Sequence, residues 1–148
     1  MHWRVKTFSE LTNLELYHIM QLRLDVFSIE QECIYQDLDG IDTQPTVIHL
    51  FAEVEDRITC YLRILPPNLR YPNQSSLGRV VIHPDFRGRG LGHTMMANAL
   101  EILDLHWPKQ NCHISAQTYL CDFYSQHGFQ VVGDEYLEDG LPHIGMER

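Results

Sequence analysis

The sequence holds no apolar run long enough to cross a bilayer, for which about 20 consecutive residues are needed. Its first residues, Met1-His2-Trp3-Arg4-Val5-Lys6, lack the apolar stretch of a secretory leader. Cysteine is sparse: Cys33, Cys60, Cys112 and Cys121 stand far apart and form no CxxC pair. A reduced, cytoplasmic protein with no membrane partner is the resulting expectation. The histidines follow neither HxH nor HExxH spacing, so no metal is expected. Basic residues are in short supply, 11 Lys and Arg against 20 Asp and Glu, for a net charge of −9. That balance argues against nucleic acid as a partner. It suits solubility, and it suits a cationic small substrate. Repeats, low-complexity tracts and flexible linkers are missing. What is present, 148 residues of which 44% are hydrophobic, suffices for a single domain over residues 1–148. Monomer and homodimer both fit, since an exposed edge strand can pair between subunits.

Hydrophobic periodicity supplies the elements. His2 to Phe8 alternate and read as a strand. Leu16, Ile19, Met20, Arg23, Val26 and Phe27 recur at helical spacing, giving an amphipathic helix from about Thr12. Ser28 to Asp42 is acidic and reads as a short helix giving way to a loop. Val47–Val54 and Arg57–Leu65 form a hairpin around Glu55-Asp56, and Pro66-Pro67 stops the second strand. Leu77–Ile82 is a strand. Leu91, Met95, Ala99, Ile102 and Leu103 mark a helix that ends at Pro108. Cys112–Ala116 reads as a strand, Tyr119–Gln126 as a short helix stopped by Gly128, Phe129–Val132 as a strand and His143–Glu147 as the last. The central strand–helix–strand unit is a crossover, so the fold class is α/β (α+β) with a mixed sheet.

Arg87-Gly88-Arg89-Gly90-Leu91-Gly92 is the most informative stretch. It lies between a strand and a helix, where a glycine-rich turn exposes backbone N–H groups to phosphate oxygens at the positive end of the helix dipole. A P-loop would need Lys-Ser or Lys-Thr after the glycines, and none follows. A dinucleotide fingerprint would need a third glycine at His93. Three glycines and two arginines in six residues exceed what a tight connection requires.

The spacing Arg87-x-x-Gly90-x-Gly92 resembles the pyrophosphate turn of the GNAT superfamily of N-acetyltransferases, as does the preceding Ile82-His83-Pro84. A second signature lies downstream: Gln117, then Tyr124, then Gly128-Phe129, at that family's offsets, with Gln where Asn is usual. Arg23-Leu24-Asp25-Val26-Phe27, Glu30-Gln31, Tyr35-Gln36-Asp37-Leu38-Asp39-Gly40 and the tail Glu138 to Met146 resemble the ElaA-like acyltransferases. The Arg-x-x-Val-Phe element is locally similar to acyl-homoserine-lactone synthases as well.

The resemblance implies a GNAT fold, with helices on both faces of a mixed central sheet. It implies acetyl-coenzyme A as co-substrate and a primary amine of a small molecule or peptide as acceptor. Backbone N–H groups from Arg87 through Gly88, Arg89, Gly90 and Leu91 to Gly92 would hold the pyrophosphate, aided by the arginine side chains. Val80 and Ile82 would pair with the pantetheine arm as a strand would, and an N–H near Val80 would polarise the thioester carbonyl. Tyr124 would protonate the departing sulfur, and Gln117 would hydrogen-bond the arm or position a water. No base is singled out among His83, His49, His143, Glu30 and Glu135. Two rivals stand: a different acyl donor with lactone-synthase-like chemistry, and a non-catalytic acyl-coenzyme A sensor.

Arg23, Arg63 and Arg79 interrupt apolar patterns and so need partners. They either pair with the acidic run Glu30, Glu32, Asp37, Asp39 and Asp42 or bind a carboxylate of the acceptor. Arg23, Glu30, Arg79 and His143 are accordingly the candidate acceptor-binding residues.

Overall fold

Two antiparallel sheets, splayed apart, make the frame. The computed structural model describes all residues, Met1–Arg148. The first sheet runs β1 (His2–Thr7), β2 (Ile48–Val54), β3 (Arg57–Leu65), β4 (Ser76–Ile82), in that order. The second has the order β5 (His113–Gln117), β7 (Leu141–Glu147), β6 (Gln130–Glu138). They join at one parallel bridge, Ser75 with Cys112. There Ser75 N–H donates to Asn111 O (3.0 Å) and His113 N–H donates to Ser75 O (2.9 Å). Beyond that bridge β4 and β5 form no ladder, and the expected mixed sheet takes this opened form.

Helix α1 (Asn13–Leu24) starts at a reciprocal cap: Glu15 N–H donates to Thr12 Oγ1 and Thr12 N–H donates to Glu15 Oε2. It buries Ile19 and Leu22 against Phe51, Tyr61 and Val81 on one sheet face. Helix α2 (Leu91–His106) lays Met95, Met96, Ala99 and Leu103 on the other face, against Leu50, Leu62 and Ile64. The alternation of β2 and β3 therefore serves both helices, which is why their apolar runs are nearly continuous. Helix α3 (Cys121–Ser125) is short and follows a 3₁₀ turn at Thr118–Leu120. No helix is long and apolar enough to cross a membrane.

Several boundaries shift by one or two residues from the periodicity reading, and two elements differ more. The first helix runs on as a π-helix over Asp25–Glu30, and the rest of the acidic segment is loop with a 3₁₀ turn at Ile41–Thr43. Strand β6 does not stop at Val132. It bulges at Gly133 (φ 77°), resumes opposite β7 at Tyr136 and reaches Glu138, so that Asp139-Gly140 turns the hairpin. A glycine that reads as a stop in sequence is here a bulge inside a strand.

Candidate active site

Strand β4 carries an extra residue. Tyr61 pairs with Val81 and Arg63 with Gly78, so Leu62 faces both Arg79 and Val80. Arg79 takes the left-handed conformation (φ 54°), which costs a non-glycine residue about 1 kcal/mol. Its side chain offsets this: Nη2 donates to Asp37 O (3.1 Å) and to Asp39 Oδ2 (3.3 Å), and Nε forms an ion pair with Asp37 Oδ1 at 2.8 Å without hydrogen-bond geometry. The guanidinium also stacks 5.2 Å above the Tyr35 ring.

The bulge belongs to a buried network. Arg23, fully buried, donates from Nε to Asp37 Oδ2 (3.0 Å) and from Nη1 to Asp42 Oδ1 (2.7 Å). Arg63 donates to Asp39 through Nη1 (2.9 Å) and Nη2 (2.6 Å), and to Asp42 Oδ1 (3.0 Å). Burial would raise the Asp39 carboxyl, but Arg63 and then Arg79 hold it well below the usual range. Burial keeps His49 below its ordinary value; its Nε2–H donates to Asp42 O (3.0 Å), which leaves Nδ1 to accept from Tyr61 OH (2.8 Å). Of the two roles open to the arginines, pairing with the acidic run is the one realised. Arg23 is thereby removed from the acceptor-binding candidates: it is fully buried, lines neither cavity of the cleft, and each of its three nitrogens donates to Asp37 or Asp42. Arg79 lines a cavity, but its charge is spent on Asp37 and Asp39.

Those same pairings leave the opposite edge of β4 without a strand partner; there Ile82 O accepts from Arg87 Nε (3.1 Å). His83 N–H donates to Thr59 O (2.8 Å) on the β3 side, so by alternation Val80 and Ile82 point their backbone groups into the gap toward β5. The turn follows. Gly88 (φ 72°) and Gly90 (φ 75°) are both left-handed, as glycine permits. From Gly88 to Gly92 no backbone N–H has a partner in the chain; the first helical bond near the turn is His93 N–H to Gly90 O (3.1 Å). These exposed donors sit at the N-terminus of α2. Gly92 allows a close approach, since a Cβ there would lie 3.2 Å from Ile82 Cδ1.

Two cavities of about 410 and 490 Å³ occupy the gap and have Phe27, Gln31, Val80, Leu120 and Tyr124 in common. The second runs from Tyr124 along Val80 and Ile82 to Arg87 and Gly92. The first spreads over Gln117, Arg79, Glu138 and His143. Tyr124 is fixed at the junction by edge-to-face packing on Phe123 (5.2 Å) and Phe129 (5.9 Å), and its carbonyl accepts from His127 and Phe129 N–H. Burial, then the nearby Tyr119, pushes its phenol pKa up, so it stays protonated. Glu30 stands apart from Arg79 and His143, which line the first cavity. It lines the second cavity and clasps Arg87 with both oxygens, a consequence of the π-helix that carries it over the cleft. The periodicity reading missed two parts of the site, the Arg79 bulge and Glu138. Arg79 stands out locally as a charge in an apolar strand but not as a bulge, and Gly133 interrupts the alternation that leads to Glu138.

Residues 17–148 match the acetyltransferase (GNAT) domain family. The protein ElaA of Escherichia coli K12 is 38% identical over 148 residues, 100% of this chain and 96% of that protein. A crystal structure of an acyl-CoA N-acyltransferase from Pseudomonas aeruginosa superposes with a TM-score of 0.94 at 42% identity, over 99% of this chain and 98% of that one. The PaiA N-acetyltransferase from Thermoplasma acidophilum, in complex with coenzyme A, has a TM-score of 0.70 at 14% identity, covering 100% of this chain and 99% of that one, a likeness of fold alone.

Proposed function

The chain belongs to the GNAT acetyltransferase family and is an acyltransferase, and from that premise we propose that it moves an acetyl or related acyl group from acyl-coenzyme A to a primary amine of a small molecule or peptide. The observation that carries this reading is the row of unpartnered N–H groups from Gly88 to Gly92, set where the cleft past Val80 and Ile82 opens. Such a row fits a diphosphate. Arg89 adds charge, and Arg87 does so to the extent that Glu30 releases it. The backbone of Val80 and Ile82 offers an extended edge to the amides of a pantetheine arm, with Gln117 on the facing strand. In this reading the Val80 N–H stabilises negative charge on the thioester oxygen.

Tyr124, held neutral at the junction of the two cavities, donates its proton to the sulfur as the carbon–sulfur bond breaks. The acceptor amine enters from the cavity that holds Gln117 and His143. Release of free thiol from acetyl-coenzyme A in the presence of amines tests the reading. Tyr124→Phe should lower the rate about 100-fold or more while leaving coenzyme A affinity intact. An undiminished rate in the variant removes Tyr124 as the acid, and binding without turnover points to a sensor instead.

A further inference from the structure

Strands β5, β6 and β7 bring a polar cluster to the wall of the first cavity that the acyl-transfer reading leaves unused. His143 is 7% exposed, and its Nδ1–H donates to Leu141 O (2.8 Å). That bond fixes the neutral ring in one tautomer and leaves Nε2 with a free lone pair. Nε2 lies 3.3 Å from Glu138 Oε2. The other Glu138 oxygen accepts from Ser115 Oγ (3.3 Å), which in turn contacts Tyr136 OH. The Tyr136 ring stacks on the imidazole, with centroids 6.3 Å apart. With the ring neutral, Nε2 and Glu138 Oε2 face each other as two acceptors, at the wall of a cavity that Tyr124 also lines; His143 is buried there and Glu138 is 37% exposed. Two acceptors facing each other call for a donor between them, and a cationic N–H donor makes the strongest bonds to such a pair.

Resting on the acyl-transfer reading, we propose that Glu138 and His143 form the receiving site for the acceptor's ammonium group, with Glu138 as counter-ion and His143 Nε2 as proton acceptor. The acceptor class is then a primary alkylamine that arrives protonated. One N–H proton passes to His143 Nε2 and the ring becomes imidazolium, held by Glu138 and by Leu141 O. The freed nitrogen lone pair forms the bond to the thioester carbon. The carbon–sulfur bond breaks with its electrons on sulfur, which takes the Tyr124 proton. A second proton leaves the nitrogen and restores the phenol, and His143 returns its proton to solvent. Overall an ammonium and a thioester give an amide, a thiol and one proton.

Several groups set the His143 environment. Glu138 and Tyr136 face it from β6, Gln117 is its strand partner on β5, and Asp139 lies in the hairpin turn. Arg70 stands 3.9 Å from Glu138. Asp39, Arg63 and Arg79, with Cys33, Tyr35 and Tyr71, line the same cavity.

The test compares wild type, His143→Gln and Glu138→Gln with acetyl-coenzyme A and primary amines. The panel is 2-phenylethylamine, cadaverine, a dipeptide with a free N-terminus and, as an amine neutral at neutral pH, trifluoroethylamine. His143→Gln should lower kcat/KM about 100-fold or more with the charged amines, a deficit that shrinks as pH rises and is slight with trifluoroethylamine. Glu138→Gln should raise KM for the charged amines about tenfold and leave KM for acetyl-coenzyme A unchanged. Equal deficits with charged and neutral amines, or none, overturn the assignment. Calorimetry with coenzyme A separates the two readings. Turnover by wild type with equal deficits, or none, in the variants overturns this inference alone; uptake without turnover of any amine counts against the acyl-transfer reading as well, and no uptake overturns the cofactor reading beneath both. Imidazole NMR of wild type gives a check that needs no variant: a His143 proton on Nε2 rather than Nδ1 in the neutral ring contradicts the proposal.

Discussion

Glu30 and Arg87 face each other as a two-pronged ion pair, Nη1 to Oε1 at 2.6 Å and Nη2 to Oε2 at 2.7 Å, tying the π-helix to the glycine turn. Both side chains are more than two-fifths exposed, so the pair adds little to stability. Its consequence is for binding. The Glu30 carboxylate sits where a diphosphate would approach and already neutralises the arginine. Glu30→Gln should therefore tighten coenzyme A binding several-fold at low salt and less at high salt, while Arg87→Ala weakens it about tenfold. Calorimetry at two salt concentrations checks both; weaker binding by Glu30→Gln contradicts the competition.

Asp42 is the hub of the buried network, since one oxygen, Oδ1, accepts from both Arg23 and Arg63. Asp42→Asn leaves two buried cations short of a counter-charge and should cost about 3–5 kcal/mol, read by denaturant unfolding. Because the same network holds the left-handed Arg79, acyl transfer should fall even where the variant stays folded. A loss under 1 kcal/mol would show that the network is not what holds the loop to the sheet.

His49 sets a pH limit. Its folded pKa lies below the ordinary 6.5 because burial disfavours the charged ring. A depressed pKa means that the stability it contributes is complete above 6.5 and drains away as pH falls toward the folded value. Asp39 and Asp42, also depressed, add a second loss below their ordinary 3.8. Melting temperature should decline in two stages on acidification. His49→Gln should flatten the first stage and leave the second; an unchanged first stage assigns it to another histidine.

Tyr124 carries the opposite shift. Burial raises its phenol above the ordinary 10.0, so the acid form persists through the alkaline assay range. The rate at saturating substrates should not decline up to about pH 10. A falling limb near pH 8 or 9 that disappears in Tyr124→Phe would place the phenol in a polar, ionising setting instead.

What the sequence made legible followed from how local each signal is. The glycine turn could be read because left-handed backbone at Gly88 and Gly90 and free amides at a helix start are properties of six adjacent residues. The three arginines could be recognised as needing partners, but choosing Asp37, Asp39 and Asp42 over a substrate carboxylate depends on how a loop folds back over β3 and β4. Arg79 as a bulge was invisible, since its left-handed backbone is held by contacts about 40 residues away in sequence. Glu138 was hidden by Gly133, whose bulge interrupts the alternation that would have carried β6 to the cavity.

Titration of coenzyme A into wild type and Gly90→Asp, followed by calorimetry, probes the diphosphate site most directly. Gly90 is left-handed and borders the unpartnered N–H groups, so a carboxylate there both strains the turn and repels a diphosphate. Saturable one-to-one uptake by wild type, weakened about tenfold or more in the variant, is the result that follows from the geometry. Equal affinity in the two proteins, or no uptake by folded wild type, would contradict it.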